Sequence, residues 1–220
     1  MHRRFISYPK SGRSRIRYGL HVIGLAESVD FNHDGFEFND GAKPPHDFSV
    51  EKRVKRIKPD DRVVFLKRDP RDLIVSLFHQ VTGRFNDFFQ YTGSISDFIR
   101  DPYFGAEVMK SFFDMWDQVC AQRPVLVMTY EDCMKDPASA FEKIGAHYGF
   151  DASAEQWRLA AEKSSFDKMK EVEDSGEFEQ PWLRKRQGHS KVRRGKVGGY
   201  ADSLSPEDVA YLNEIFALSS

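Results

Sequence analysis

Short apolar runs alternate with amphipathic stretches along most of the chain. Continuous apolar runs at 5–8, 63–67 and 125–129 predict buried strands. Each run is followed by a segment with helical spacing of its apolar residues, and these helices are predicted to begin at Arg13, Pro70 and, after the N-cap Asp136, Pro137. Because parallel strands are joined by helical crossovers, the alternation predicts an α/β fold with a central, mostly parallel sheet flanked by helices.

Further helices and two irregular stretches complete the predicted organisation. The helical patterns lie at 51–57, 96–100, 106–120, 154–162 and 206–218. The stretch 29–47 is rich in Asp, Asn, Gly and Pro, and the stretch 173–199 is rich in Gly and cations. Long loops in a compact domain are commonly functional, so both are candidate walls of a binding site. With 220 residues and no internal repeat, the chain is expected to form a single domain, 1–220.

Composition narrows the classes of function. The chain has 33 basic and 34 acidic residues, so its cations indicate local sites rather than a general affinity for nucleic acid. Cys120 and Cys133 are the only cysteines, and without metal-type spacing they are typical of reduced thiols in the cytoplasm. No metal-ligand spacing, signal peptide or membrane span is visible, so none of these is predicted.

The most informative motif is the segment Y-P-K-S-G-R-S at 8–14. A strand that turns through Pro and Gly into a helix leaves unpaired N–H groups at the helix N-terminus, where the helix dipole favours an anion. The order differs from that of an ordinary P-loop, since Lys10 precedes Gly12 and no second Gly follows. The predicted P-loop-like phosphate cradle comprises Lys10, Ser11, Gly12, Arg13 and Ser14. A Pro/Gly turn that happens to carry surface cations remains the alternative.

A second motif follows the strand at 63–67. Arg68 stands where that strand ends, and open α/β sheets bind ligands at the carboxyl ends of their strands. Ser76, eight residues later, lies about two turns into the helix that begins at Pro70. The alternative is a solvated charge cluster at a strand edge.

Together the two motifs resemble those of the sulfotransferases that use 3′-phosphoadenosine 5′-phosphosulfate (PAPS). The first is similar to their Y-P-K-S-G-T-T-W loop, or to P-K-S-G-R-T-W in many bacterial, cytosolic-type members, and the second matches their Arg and Ser eight positions apart. Three further segments fit in chain order: 127–132 resembles the strand and Tyr beside the adenine, 164–170 resembles T-S-F-x-x-M-K, and 193–200 resembles R-K-G-x-x-G-D-W.

The resemblance implies a nucleotide site, although the chain departs from the family pattern at two places. Arg15 replaces the Trp that stacks on adenine in the family, and Gly199-Tyr200 replaces Asp-Trp. Arg can also stack on a π-face. The basic stretch around 184–196 would act as a flap that closes on the nucleotide. The residues implied for binding PAPS, or its product 3′-phosphoadenosine 5′-phosphate (PAP), are Lys10, Ser11, Gly12, Arg13, Ser14, Arg68, Ser76, Tyr130, Phe166, Arg193, Arg194 and Gly195.

A general base is expected to remove the proton of the attacking hydroxyl. His46 stands 22 residues before Arg68, an interval similar to that of the family's catalytic His, and it is the predicted base, with Lys10 as the second catalytic residue. Asp34 and Glu37 are competing bases, and His79 could instead line the acceptor site. No pattern singles out the other histidines, which are His2, His21, His33, His147 and His189.

The predicted reaction is direct in-line transfer of a sulfuryl group from PAPS to a hydroxyl or amine of a small-molecule, sugar or lipid acceptor. The segments 29–47 and 85–91 are expected to border the acceptor. One alternative is a P-loop-like small-molecule kinase that uses ATP and Mg²⁺, for which Asp69 and Glu131 are the nearest metal-binding candidates. The other is a non-enzymatic protein that binds phosphate or RNA through the basic stretch. The oligomeric state is not predictable from these patterns.

Overall fold

A parallel sheet forms the centre of the molecule. The structure, a computed structural model, describes residues 1–192 and 195–218. Its strands are β1 (Arg3–Ser7), β2 (Asp30–Asn32), β3 (Arg62–Lys67) and β4 (Val125–Thr129). They lie in the order β2-β1-β3-β4, and every neighbouring pair is parallel. The predicted α/β class and parallel sheet are therefore confirmed.

Helices follow the strands and connect them. Those of the described residues are α1 (Arg13–Val22), α2 (Val50–Arg56), α3 (Pro70–His79), α4 (Asn86–Phe89), α5 (Ile95–Ile99), α6 (Ala106–Cys120), α7 (Tyr130–Lys135), α8 (Pro137–Tyr148), α9 (Ala154–Lys163), α10 (Phe166–Ser175) and α11 (Pro206–Phe216). Shorter 3₁₀ turns lie at Ala26–Ser28, Pro181–Leu183 and Gly199–Asp202, and a π-helical turn at Gln80–Arg84. None of the described helices is long and apolar enough to cross a membrane.

Local capping explains why the predicted helix starts hold. Pro occupies the first turn of α3, α8 and α11, where its missing N–H costs no hydrogen bond. Asp69, Asp136 and Ser205 cap these three helices, each accepting a hydrogen bond from a backbone N–H of the first turn. The pattern does not predict β2, a three-residue strand with two polar residues, because so short a run shows no periodicity.

The sheet is covered on both faces, which is the usual arrangement for parallel strands. Alternate residues of β1 enter different cores: Ile6 packs with residues of α3, α6 and α11, whereas Phe5 packs with residues of α1, α8 and α9. In β3, Phe65 and Leu66 divide in the same way. Because both faces of the sheet are covered by apolar side chains, polar side chains are found at the ends of the strands.

Candidate functional site

Residues that follow all four strands meet at the carboxyl edge of the sheet. They line one hollow, here called the main cleft, which is formed by Lys10 and Arg13 after β1, His33 after β2, Arg68 after β3 and Tyr130 after β4. Its empty volume is about 1070 Å³, part of which is open to solvent. Ligands bind open α/β sheets at this edge, so the topology itself selects the site.

The loop after β1 has the geometry of an anion cradle. Gly12 adopts a φ of 98° and precedes α1, which has neither a side-chain N-cap nor an acidic residue in its first turn. At this helix end, neither the N-cap nor the first turn supplies an anionic side chain that would compete with a ligand for the N–H groups. A Cβ at Gly12 would lie 2.4 Å from Cδ2 of Tyr130, so only glycine fits here without displacing that ring.

Two residues of the cradle face different ways. Ser14 lines the main cleft, as do Lys10, Gly12 and Arg13. Ser11 is fully buried and is not among the described lining residues. Its hydroxyl donates a hydrogen bond to the carbonyl of Tyr8 at 2.9 Å. The position of Ser11 thus supports a role in holding the loop, and a direct contact with phosphate stays a prediction.

Arg68 links the cradle to the opposite wall. Its Nη1 donates to the carbonyl oxygen of Lys10 at 3.1 Å, and its guanidinium carbon lies 4.5 Å from the centre of the Tyr130 ring. Nη2 lies 3.8 Å from a carboxylate oxygen of Asp72. Ser76, two turns along α3, lines the same cleft. The structure therefore brings Lys10, Arg68 and Ser76 to one cavity, although 66 positions separate the first and last of them in the chain.

The far wall comes from the C-terminal part of the chain. Phe166 and Gly195 both line the main cleft, and the hydroxyl of Tyr130 donates to the carbonyl of Gly195 at 3.4 Å. A Cβ at Gly195, where φ is 61°, would lie 2.6 Å from the ring of Phe166. Arg193 and Arg194 lie outside the described residues, so their predicted contact with the 3′-phosphate stays a prediction.

The cleft carries buried donor atoms that no described residue satisfies. Arg13 Nη1, Arg15 Nε and Arg68 Nε are buried and have no hydrogen-bond partner among residues 1–192 and 195–218. Unsatisfied buried donors cost free energy, and a phosphate or sulfate oxygen is the acceptor that best compensates them. Burial lowers the pKa of Arg13 to about 10 and also lowers that of Arg15, and a bound anion would offset this cost. The donor set therefore fits an anionic ligand.

Among the described residues that line this cleft, His33 is the one histidine. Its Nδ1 lies 2.7 Å from the carbonyl oxygen of Ser7, which can only accept, so Nδ1 holds the proton and Nε2 is left unprotonated in the neutral ring. Burial lowers the pKa of His33 well below its ordinary value, and the charge of Arg13 lowers it further, with smaller effects from Lys191 and Lys10. The ring is therefore neutral near pH 7 and can accept a proton.

His46 occupies a different environment. It is not among the described residues that line the main cleft. Its ring stacks between Phe36, with centroids 4.8 Å apart, and Tyr103, with centroids 4.4 Å apart. Its Nε2 lies 3.0 Å from the carbonyl oxygen of Tyr103 and so donates to it. This position supports a structural role for His46 and does not favour its predicted role as base.

The competing bases also have structural partners. Asp34 is buried and accepts hydrogen bonds from Arg53 Nε at 2.7 Å and Trp116 Nε1 at 3.0 Å. Glu37 accepts the backbone N–H of His33 at 2.8 Å, which holds the loop that carries the histidine. His79 lines a smaller hollow beside the cleft, together with Lys10 and Ser76.

The two carboxylates named as metal-binding candidates of a kinase form hydrogen bonds within the protein. Asp69 caps α3 and accepts from the side chain of Arg71, and Glu131 accepts the N–H of Asp69 at 3.0 Å. Among the described residues, no group of three or more His, Cys, Asp or Glu side chains is placed to hold a metal ion.

The sequence offers one late clue to His33. Parallel pairing sets Ile6 of β1 opposite Asn32 of β2, so the next residues, Ser7 and His33, become neighbours at the edge of the sheet. Recognising that pairing requires β2, which lies within the stretch predicted to be irregular. Spacing along the chain favoured His46 instead, because spacing carries no information about which edge a loop residue reaches.

Known proteins are similar to this chain in sequence and in architecture. A model of the sulfotransferase domain family matches residues 47–218. The 3-alpha-hydroxysteroid sulfotransferase of Cavia porcellus is 28% identical over 239 residues, which cover 96% of this chain and 80% of that protein. The amine sulfotransferase of Oryctolagus cuniculus is 23% identical over 164 residues, covering 70% of this chain and 53% of that protein.

Solved structures show the same fold. A mouse sulfotransferase complexed with PAP superposes with a TM-score of 0.69 at 19% identity, covering 98% of this chain and 83% of the other. A retinol dehydratase in complex with androsterone and PAP gives a TM-score of 0.62 at 18% identity, covering 97% and 79%. The family model spans most of the chain, and it includes the elements that carry Arg68, Tyr130 and Gly195. The chain therefore belongs to the sulfotransferase domain family.

Proposed function

We propose that this protein transfers the sulfuryl group of PAPS to a hydroxyl or amine of a small-molecule, sugar or lipid acceptor. The observation that carries the proposal is the convergence of Lys10, Arg68 and Ser76 on one cleft whose buried guanidinium donors have no partner within the described part of the chain. Structures of the same fold hold PAP. The finer resemblance to bacterial members and the cytoplasmic location stay predictions.

The nucleotide would span the cleft from the cradle to the C-terminal wall. The N–H groups at the start of α1, with Lys10, Arg13 and Ser14, would hold the 5′-phosphosulfate. Arg68 and Ser76 would hold the 3′-phosphate. The adenine ring would lie beside Tyr130 and Phe166, where Arg15 supplies a flat cation in place of an indole ring.

The chemistry is an in-line displacement. The acceptor oxygen forms a bond to sulfur while the bond between sulfur and the bridging oxygen of the 5′-phosphate breaks, and the electron pair leaves with PAP. The acceptor proton passes to Nε2 of His33, which the hydrogen bond from Nδ1 to Ser7 holds ready as an acceptor. Here the geometry favours His33 over His46 as the base.

Electrostatic stabilisation would supply most of the acceleration. Charge develops on the departing phosphate, which the cradle N–H groups and Lys10 face. Because this charge is greater in the transition state than in the bound substrate, removing the Lys10 ammonium is expected to reduce turnover more than nucleotide affinity. The acceptor itself is not identified by its relatives, whose names refer to steroids in one case and amines in another.

A thermal-shift series tests the proposal. The protein is melted alone and with PAP, with ATP and Mg²⁺, or with single-stranded RNA, because a ligand that binds the native state raises the melting temperature. PAP is expected to give the largest rise, and the Arg68→Met variant is expected to lose most of it. A rise with ATP and Mg²⁺ but none with PAP would indicate a kinase, and a rise with RNA alone would indicate a nucleic-acid-binding protein.

A further inference from the structure

A second hollow opens from the main cleft at His33. This side groove shares Lys10, Arg13, His33 and Lys191 with the main cleft and extends from there to Arg84 and Trp182. If the proposed function holds, an acceptor in the side groove would present its hydroxyl to His33 while the sulfuryl donor lies on the other side. The composition of the groove therefore reports on the class of acceptor.

The groove is strongly cationic. Its described walls carry seven Lys and Arg side chains but one carboxylate, that of Glu37. Three of the cations have carboxylate partners that do not line the groove: Lys185 pairs with Asp174 at 2.7 Å, Arg186 forms a two-pronged pair with Asp87, and Nη1 of Arg84 lies 3.8 Å from Glu173. With these carboxylates and Glu37 counted, the seven cations still leave an excess of positive charge where the acceptor would bind.

Buried polar atoms of the groove also have no partner. Arg84 and Gln80 are each 5% exposed, and neither Nε of Arg84 nor Oε1 of Gln80 has a hydrogen-bond partner among the described residues. Nε1 of Trp182 is likewise buried and without a partner in the described part of the chain. Two of these three atoms are donors and one is an acceptor. The set matches a ligand with anionic oxygens and at least one hydroxyl.

Ring-shaped surfaces accompany the charges. Phe38, Phe85 and Trp182 line the side groove. Arg17 covers one face of Trp182, with its guanidinium carbon 4.6 Å from the ring centroid, and Arg186 lies 4.7 Å from the centroid of Phe85. These contacts hold the rings in place, and rigid aromatic surfaces pack well against a ring of a ligand.

We infer that the acceptor is a small molecule that combines a ring with an anionic group, a carboxylate, phosphate or sulfate, bound in the side groove by Arg84 and the indole N–H of Trp182. This inference rests on the proposed function and deepens it. The steroid named for one relative is apolar at its ring system, and the cationic walls of this groove would have to be desolvated to take such a molecule.

Mutual repulsion among the cations supports the assignment. Burial lowers the pKa of Lys191 to about 7, and the charges of Arg84 and Arg13 lower it further, against an opposing effect of Glu173. Burial likewise lowers the pKa of Arg84. An anionic acceptor bound beside these groups, in addition to the nucleotide, would relieve the repulsion. The groove is therefore better matched to an anionic ligand than to a neutral one.

Isosteric acceptors test the inference. Sulfate transfer from labelled PAPS is measured to 4-hydroxyphenylacetate, to the neutral 4-hydroxyphenylacetamide and to the cationic tyramine, which share one ring and one attacking hydroxyl. Methyl β-glucuronide and methyl β-glucoside form a second pair with a sugar ring. The anionic member is expected to exceed its neutral partner in kcat/KM by about tenfold or more, the value of one charge-assisted hydrogen bond, and to lose this advantage in high salt.

Affinity provides a readout that does not depend on turnover. Dissociation constants of the same probes are measured by calorimetry on protein saturated with PAP. Arg184→Gln removes a cation of the groove that is exposed and forms no ion pair with a described residue, and Arg84→Gln removes a buried one. Both variants are expected to reduce the ratio between the dissociation constants of the neutral and anionic probes. Arg158 is an exposed helical cation that lines neither hollow, and Arg158→Gln is expected to leave this ratio unchanged.

The outcomes distinguish a failure of the proposed function from a failure of the anionic acceptor. No stabilisation by PAP would overturn the proposed function. Stabilisation by PAP with neutral members equal to or better than the anionic ones in both pairs would overturn the anionic acceptor alone. Failure of both anionic probes to bind the PAP-loaded protein would do the same, and an unchanged preference in both Arg184→Gln and Arg84→Gln would exclude the side groove as the place of recognition.

Discussion

At the scale of single residues, the choice between two histidines shows how context decides chemistry. His33 has one nitrogen held by a backbone carbonyl and lines the main cleft. His46 is packed between two aromatic rings and does not line it. The two imidazoles have the same intrinsic chemistry, so position and environment are the grounds on which His33 is proposed as the base.

A pair of matched substitutions tests this assignment. In His33→Asn, the amide nitrogen can still donate to the Ser7 carbonyl, but no group remains to accept the acceptor proton, so kcat is expected to fall by about 10²- to 10⁴-fold. In His46→Gln, the amide can replace the bond to Tyr103, and kcat is expected to remain within about threefold. Labelled-sulfate transfer and PAP affinity are measured for both. A large loss in His46→Gln with an active His33→Asn would reverse the assignment.

The lowered pKa of His33 predicts the acidic limb of the pH profile. A base must be unprotonated to act, and burial holds the pKa of His33 well below its ordinary 6.5. At saturating PAPS, where the charge of Lys191 no longer sets the occupancy of the nucleotide site, kcat is expected to stay constant as the pH is lowered to 6.5 and to fall only at lower pH, as His33 takes up a proton. A limb centred above pH 6.5 would point to a different base.

Lys191 predicts the pH dependence of nucleotide binding. Its pKa in the free protein is lowered to about 7, mainly by burial, so the side chain is charged below pH 7 and neutral above it. PAP is an anion, and the affinity of the protein for PAP is therefore expected to weaken as pH rises through 7, with uptake of a proton on binding near that pH. Lys191→Met is expected to bind PAP more weakly at pH 6 and to lose this pH dependence. Calorimetry in buffers of different ionisation enthalpy measures both effects.

At the scale of secondary-structure elements, α3 holds the C-terminal segment against the cleft. The buried carboxylate of Asp72 accepts hydrogen bonds from the N–H groups of Gly198 at 2.8 Å and Tyr200 at 2.9 Å. These bonds fix the backbone just beyond Gly195, whose carbonyl contacts Tyr130. A buried side chain of α3 thus holds the backbone that adjoins the far wall of the cleft.

Asp72→Asn is expected to loosen that wall. One charged acceptor becomes an amide, and the loss of charge-assisted bonds is expected to cost about 1.5–3 kcal/mol locally. Trypsin, for which Lys196 is a site, should then cleave this segment faster, and PAP should protect it less than in the wild type. Asp114→Asn, an exposed change in α6, serves as the control. Equal cleavage of the wild type with and without PAP would contradict the idea of a flap that closes on the nucleotide.

At the scale of the whole molecule, one buried carboxylate joins the sheet edge to two helices. Asp34 follows His33 and accepts hydrogen bonds from Arg53 and Arg56 of α2 and from Trp116 of α6. The side chains of Asp34 and Arg53 are only 1% and 7% exposed. Breaking a buried ion pair leaves an uncompensated charge, so the core of the protein depends on the loop that carries the proposed base.

Asp34→Ala is therefore expected to destabilise the whole fold. Removing the partner of a buried Arg is expected to lower the free energy of unfolding by about 3–5 kcal/mol, measured by urea denaturation. Asp114→Ala, in an exposed pair with Lys110, is expected to change it by less than about 1 kcal/mol. If the two variants were equally stable, Asp34 would not hold the fold together.

The sequence by itself determined the parts of this protein that depend on neighbours in the chain. The cradle at 8–14, the starts of α3, α8 and α11 and the eight-residue interval from Arg68 to Ser76 follow from turn chemistry, capping and helical periodicity. Each is encoded within about ten residues, where backbone hydrogen bonds and side-chain spacing decide the conformation.

Only the tertiary structure decided which side chains share the cleft. The pairing of β1 with β2 sets His33 beside Ser7. The aromatic packing of its loop keeps His46 away from the lining of the main cleft, and Ser11 is buried. The fold also brings Arg84 and Lys191 to one groove. These relations depend on strand register and on contacts between residues far apart in the chain. Such contacts are chosen by burial of the whole core, and no local pattern records them.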